Sequence, residues 1–432
     1  MNMKYLIIEN IIIYVFIISY ILVILEEFTN IKKSKSTIIA SGIIWILIAI
    51  NYKQINLNEI IKHNLSEYAE LFLFLFVTMI YINTIKDRKI FELLKYFFIK
   101  NKFTLKQLYW STGICAFLLS PIADNLTTTL IISSIILSLE KEKKFTNIAC
   151  INIIIAANAG GSFTPFGDIT TLMIWQKNII NFSTFFKLIV PSIISFIIPA
   201  IIISTNIKNK QINKNNLSFK PKLKFGATTI IIFFLLTITI SICMQSYLKI
   251  PATLGMMLGL GFLQIIELIS KNKKEKINIS TQIKNIEWET LLFFYGIILC
   301  IGGLSTIGCL SDISNYIYKE LGNNLPYGYQ QLPANIIIGL LSAIIDNIPI
   351  MFSVLNMKPE MNLGQWLLVT LSTGIGGSIL SIGSASGIAL MGISKGKYTF
   401  FTHLKWSWAI LIGYFIGCIS HIYINISMFT ST

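Results

Sequence analysis

Two short stretches place a carboxylate beside an amide in otherwise apolar sequence: Asp124-Asn125 within SPIADNLTTT (120–129) and Asp346-Asn347 within SAIIDNIPI (342–350). A glycine-rich break follows each, ANAGGSFTPFGDITT (157–171) after the first and TGIGGSILSIGSASG (373–387) after the second. Gly160-Gly161-Ser162 therefore matches Gly376-Gly377-Ser378, and Gly167 matches Gly383. The first copy brings Asp124, Asn125, Thr128, Asn158, Thr164, Asp168, Thr170 and Thr171; the second brings Ser342, Asp346, Asn347, Ser381, Ser384 and Ser386. Every one of these side chains carries oxygen, and none is basic, a thiol or an imidazole. Such a set suits hard cations, Na⁺, Li⁺, Mg²⁺ or Ca²⁺, and not soft transition metals.

Carboxylates add a second chemistry. Desolvation and a neighbouring carboxylate both raise the pKa of a carboxyl group. A carboxyl so placed holds either a proton or a cation, and binding one expels the other. Competition of this kind at one site is the simplest way to couple two ion flows. An ionisable residue inside a bilayer costs about 2.5–3.5 kcal/mol on insertion scales, so a duplicated one calls for a functional account.

The elements that must position these groups are membrane helices. The 432 residues are 54% hydrophobic and 13% charged, and apolar runs recur near the ~20 residues that a bilayer helix needs. The net charge of +15 comes from lysines set between those runs, which form no basic domain, so nucleic acid is not expected as a partner. Six scattered cysteines without CxxC spacing indicate neither a disulfide framework nor a zinc site, and no cofactor is expected. Residues 5–26 are too long for the apolar core of a cleavable leader. Apolar segments fall six before and six after a polar stretch at 205–224, read as the linker between a first repeat (1–204) and a second (225–432). Glu70 and Glu289 also correspond, so the repeat extends upstream of the motifs.

The halves of segment 108–139, at 108–122 and 126–139, hold 15 and 14 residues, about 21–23 Å of helix against a ~30 Å hydrocarbon core. A re-entrant hairpin with Asp124-Asn125 at its tip fits better than two crossings, and 331–355 is its counterpart. Segments 147–176 and 363–393 read as single crossings made of two half-helices, broken at the glycines. Each repeat then crosses five times, and an odd number makes the two repeats inverted. With 205–224 in the cytoplasm, loops 27–36, 86–107, 140–146, 205–224, 270–288 and 394–405 carry most of the Lys and Arg, as the positive-inside rule expects. The fold class is thus an all-α polytopic membrane protein with two inverted-topology repeats, each holding a re-entrant hairpin and a discontinuous helix.

Each feature also has a plain structural reading. Asp124, Asp346 and Asp168 could cap helix N-termini, and capping can coexist with ion binding because a carboxylate has two oxygens. The serines and threonines could bond helix backbone. Glu70 and Glu289, near the first turns of their helices, suit the helix dipole, with a proton relay as the minority reading. His421 is expected to be packed and hydrogen-bonded, and His63 and His403 to be uninformative loop residues. Residues 88–100 read as an amphipathic interfacial helix.

The combination ADNLTTT, GGSFTPFGDITT and IIDNIP resembles the NhaD-type sodium/proton antiporters of the ion transporter superfamily, with the likeness running from about Glu70 to Ser386. The resemblance implies a moving transport domain, a scaffold and a homodimer. It also implies a cation pathway lined by Asp124, Asn125, Asn158, Asp168, Thr170 and Thr171, with Ser342, Asp346, Asn347, Ser381 and Ser384 from the second repeat. Ser384 stands where the first repeat has Asp168, so the stronger Na⁺ site is expected at Asp124, Asn125, Asn158 and Asp168, with Thr164 nearby. The expected function is exchange of Na⁺ or Li⁺ for H⁺ across a bacterial inner membrane. An anion carrier of the same superfamily, for dicarboxylate or arsenite, is the alternative; acidic hairpin tips and a single arginine, Arg88, placed in a loop, speak against it. An intramembrane aspartyl protease would need a partner aspartate in a Tyr-Asp setting, which is missing, and would leave the repeat unexplained.

Overall fold

The computed structural model describes residues 3–29, 31–52, 56–100, 103–139, 142–208, 210, 221–271, 273 and 275–430. Its regular structure is helical. In chain order the helices of eight or more residues are α1 (Met3–Ile24), α2 (Lys33–Asn51), α3 (Leu57–Asp87), α4 (Ile90–Lys100), α5 (Leu105–Ala123), α6 (Asn125–Leu139), α7 (Lys143–Gly161), α8 (Ile169–Gln176) and α9 (Ile189–Ser204). They continue with α10 (Ala227–Cys243), α11 (Ala252–Ser270), α12 (Trp288–Thr306), α13 (Leu332–Leu341), α14 (Asn347–Met357), α15 (Leu363–Gly376), α16 (Ala385–Ile393) and α17 (Ser407–Ile424). Eight helical stretches among the described residues are long and apolar enough to cross a membrane. Most of the expected linker at 205–224 lies outside the described residues.

Two groups of helices form the molecule. In one, α2 packs between α1 and α12, while α3 joins α12 to the pair α10–α11. In the other, α5 packs on both α6 and α7, α13 packs on α15, and α9 lies against α17. The halves interlock crosswise: α8 rests on α14, and α16 rests on α6.

Glycine permits the closest of these contacts. A methyl group on Gly160 of α7 would collide with the Phe117 carbonyl of α5, and one on Gly376 of α15 with the Gly339 carbonyl of α13. The two broken helices thus meet the two hairpin arms at matching glycines, which no larger residue could do at the same separation.

Arg88 sits in the turn between α3 and α4, as expected of a loop residue, but is buried there, donating to the carbonyls of Glu275 and Phe225 at 2.8 and 3.4 Å, and so ties the end of α3 to the chain flanking α10 and α11. Two histidines expected in loops lie in helices. His63 lies within α3, 3.4 Å from Glu67. His403 lies in the short helix Phe400–Leu404, fully buried, with Nε2 donating to the Ser378 carbonyl at 2.9 Å and Nδ1 accepting from the Tyr398 hydroxyl at 2.7 Å. It fastens the break between α15 and α16. His421 is packed in α17 as expected, with Nε2 donating to the Gly364 carbonyl at 3.0 Å.

Candidate functional site

Four half-helices begin at the two hairpin tips and the two helix breaks, and each is preceded by a residue with a side-chain oxygen. Asp124 accepts from the Thr127 amide at 2.7 Å at the start of α6, and Asp168 from the Thr170 amide at 3.2 Å at the start of α8. Asp346 accepts from the Ile348 amide at 3.5 Å before α14, and Ser384 from the Gly387 amide at 3.3 Å before α16. The capping reading therefore holds at all four, which satisfies N–H groups that apolar surroundings would otherwise leave unpaired. Asp124 bends the chain between α5 and α6 with φ 53° and ψ 160°, a conformation rare outside glycine.

Capping leaves acceptor capacity facing inward. A cavity of about 20 Å³ is lined by Asp124, Asn125, Asp168 and Asn347, and closed by apolar side chains that include Leu75, Met79 and Phe294. This is room for one water-sized body. Asn347 Nδ2 donates to both carboxylate oxygens of Asp168, at 3.2 and 3.0 Å. Asn125 Nδ2 donates to Asn158 Oδ1 at 3.1 Å, and Asn158 Nδ2 donates to Ser384 Oγ at 3.4 Å. Ser386 Oγ also donates to Asn158 Oδ1 at 3.3 Å. Both hairpin tips and both broken helices thus meet through side chains.

Other expected site residues serve the backbone around the cavity. Thr164 donates to the Pro121 carbonyl at 2.7 Å, Thr171 to the carbonyls of Thr164 and Asp168 at 2.8 and 2.6 Å, and Ser342 to the Thr373 carbonyl at 2.9 Å. These bonds clip each hairpin or helix break to its neighbour. Thr170 is fully buried in the first turn of α8. Ser381, in the second break, is fully buried and its hydroxyl has no hydrogen-bond partner among the described residues.

Three carboxylates are turned elsewhere. Asp346 does not line the cavity; its Oδ2 lies 3.8 Å from the Lys33 ammonium, and its backbone N–H donates to the Tyr20 hydroxyl at 3.0 Å. Lys33, placed by sequence in a loop, is instead the buried first residue of α2, so a basic group does stand at one hairpin tip. Glu289 accepts from Ser34 Oγ at 2.5 Å, outside the cavity. Glu70 lines a separate cavity of about 180 Å³ with His63, Glu67 and Lys177. The same helices α3, α8, α12 and α14 line both cavities, with residues four positions apart (Leu71 and Leu75, Met173 and Ile169), so about one apolar helical turn separates them.

Thr290 of α12 also lines the central cavity, and sequence reasoning missed it. Its signal was its position one turn before Phe294 on a helix whose inward face is otherwise apolar, next to a glutamate that drew attention instead.

The family model described as citrate transporter, CitMHS, matches residues 6–374. A Vibrio cholerae protein named Na(+)/H(+) antiporter NhaD is 42% identical over 96% of this chain and 92% of its own length. A Vibrio parahaemolyticus protein of the same name is 44% identical over 89% of this chain and 98% of its own. Sodium/proton antiporter 2 of Arabidopsis thaliana is 28% identical over 94% and 98%.

Proposed function

Because this chain belongs to the CitMHS family of ion transporters, and within it to the NhaD-type sodium/proton antiporters, we propose that it is a secondary active transporter exchanging Na⁺ for H⁺ at the central cavity. One observation carries the site assignment: oxygen-bearing side chains from both halves of the chain, Asp124, Asn125, Asp168 and Asn347, converge on a space that fits a single small body. Asp124 and Asp168 are the groups that hold either a proton or the cation; Asn347 orients Asp168, while Asn125 and Asn158 link the first hairpin tip to Ser384 of the second break. The half-helix N-termini hold the two carboxylates in place through their amides before the ion arrives, and the carboxylate and amide oxygens, not the helix ends, make the contacts with the cation. Li⁺ is the second cation expected to bind, because the donors are all oxygen.

The same reading makes the two halves inverted repeats in a bacterial cytoplasmic membrane, with the lysine-rich connections inside, and includes a homodimer. Carriage of an anion such as citrate, which the family description raises, would require cationic side chains; none of the cavity-lining residues is one.

Everted membrane vesicles provide the test. After a respiratory pH gradient is formed, addition of Na⁺ or Li⁺ should collapse it, and citrate or succinate should not. Collapse by citrate without sodium would overturn the proposal.

A further inference from the structure

The two hairpin tips, alike in local sequence, differ in what faces their carboxylates. Among the described residues no Lys or Arg is ion-paired with Asp124 or Asp168, whereas Asp346 is paired with Lys33. Both partners are withdrawn from solvent, with side chains 9% and 5% exposed. The Lys33 ammonium also stands 4.5 Å from the centre of the Phe293 ring, so the aromatic face is part of its surroundings. Lys33 begins α2 in one group of helices, and Asp346 precedes α14, which packs on α12 of that group and on α8 and α15 of the other.

A buried lysine is retained only against an opposite charge. At 3.8 Å it is held by charge without a direct hydrogen bond. This is the kind of contact a cation makes with a carboxylate, with a side chain as its tether. We propose that Lys33 is a resident cation, holding at Asp346 the place that a transported ion takes at Asp124 and Asp168, so that only the carboxylates of the first half take up exchangeable ions. The proposal rests on the exchange reading above and adds to it a determinant of how many ions are bound. Ser384, where the first half has Asp168, removes the remaining carboxylate of the second half in the same direction.

The experiment is equilibrium dialysis of radioactive sodium against the purified full-length chain in detergent at saturating Na⁺ and alkaline pH. Wild type and K33R should bind equal amounts per protomer. K33M, which keeps the stem and removes the charge, should bind about one further Na⁺ per protomer, and K33M/D346N should lose that increment. Equal binding by wild type and folded K33M overturns the proposal, as does an increment that survives in K33M/D346N. If K33M does not insert, the neutral pair K33M/D346N and the charge-conserving K33R carry the test: both must bind the wild-type amount, and a folded K33M/D346N that binds more or less overturns it. Failure of the wild type to bind sodium would overturn the exchange reading itself, and this inference with it.

Discussion

The amide nitrogen of Asn347 lies 3.2 Å from one carboxylate oxygen of Asp168 and 3.0 Å from the other. One residue belongs to the tip of the second hairpin and the other to the break of the first discontinuous helix. The bond therefore ties together segments 179 residues apart in sequence, both buried, at the edge of the cavity that Asp124 also lines. Hydrogen bonds to a charged group contribute about 1.5–3 kcal/mol, more than neutral pairs do. Asn347 thus fixes where the Asp168 carboxylate points as well as where α8 sits.

N347A is expected to lower Na⁺-driven proton movement in everted vesicles at least tenfold and to lower the midpoint of thermal unfolding by a few degrees. A variant with wild-type exchange would show that Asp168 does not need this donor.

D124N is expected to abolish exchange without loss of folding. Asparagine matches aspartate in shape at the backbone conformation that aspartate already holds here, and its amide oxygen can still accept from the Thr127 amide. What it loses is the charge and the proton. Size-exclusion behaviour and helical ellipticity should match wild type while transport vanishes; measurable Na⁺/H⁺ exchange in that variant would remove Asp124 from the reaction.

Alanine at Gly160 or Gly376 is expected to prevent stable insertion, because the added methyl meets backbone carbonyl rather than a movable side chain. Gly42 has nothing within 4 Å of the same position. G42A should be neutral or stabilising by up to about 1 kcal/mol, through helix propensity. Membrane yield and thermal stability of the three variants, compared side by side, check the contrast.

His403 gives a pH dependence of stability. Burial holds its imidazole pKa down at about 4, against an ordinary value of 6.5. Between these values the unfolded chain binds a proton that the folded chain does not. Stability therefore rises with pH across that window and is lost as pH falls from 6.5 towards 4, by at most about 1.4 kcal/mol per pH unit. In H403Q this contribution should be absent, so the difference in unfolding temperature between pH 7 and pH 5 should shrink. An unchanged difference would show that His403 is protonated in the folded chain.

Much of the backbone around the site could be read from the chain because the lengths of apolar runs fix where helices fit and glycine clusters mark where they can break. The breaks after Gly161 and Gly376 and the turns at Asp124 and Asp346 all follow from lengths and residue types. Side-chain direction did not follow. IADN and IIDN look equivalent, yet one aspartate faces the cavity and the other faces a lysine more than 300 residues earlier in the chain. Lys33 carried no mark to separate it from the loop lysines beside it. His403 and Arg88 were similarly opaque, since their partners are backbone carbonyls brought near only by folding. The start of α3 at Leu57 was hidden for a different reason: its first turns are polar, and hydropathy reports only the apolar part of a helix.

The chamber between the two hairpin tips is smaller than a hydrated ion. Any alkali metal ion entering it must shed nearly all its first coat of waters and accept rigid amide and carboxylate oxygens instead. Discrimination among such ions would then depend on how well fixed donors replace departing water, and little on the width of the approach.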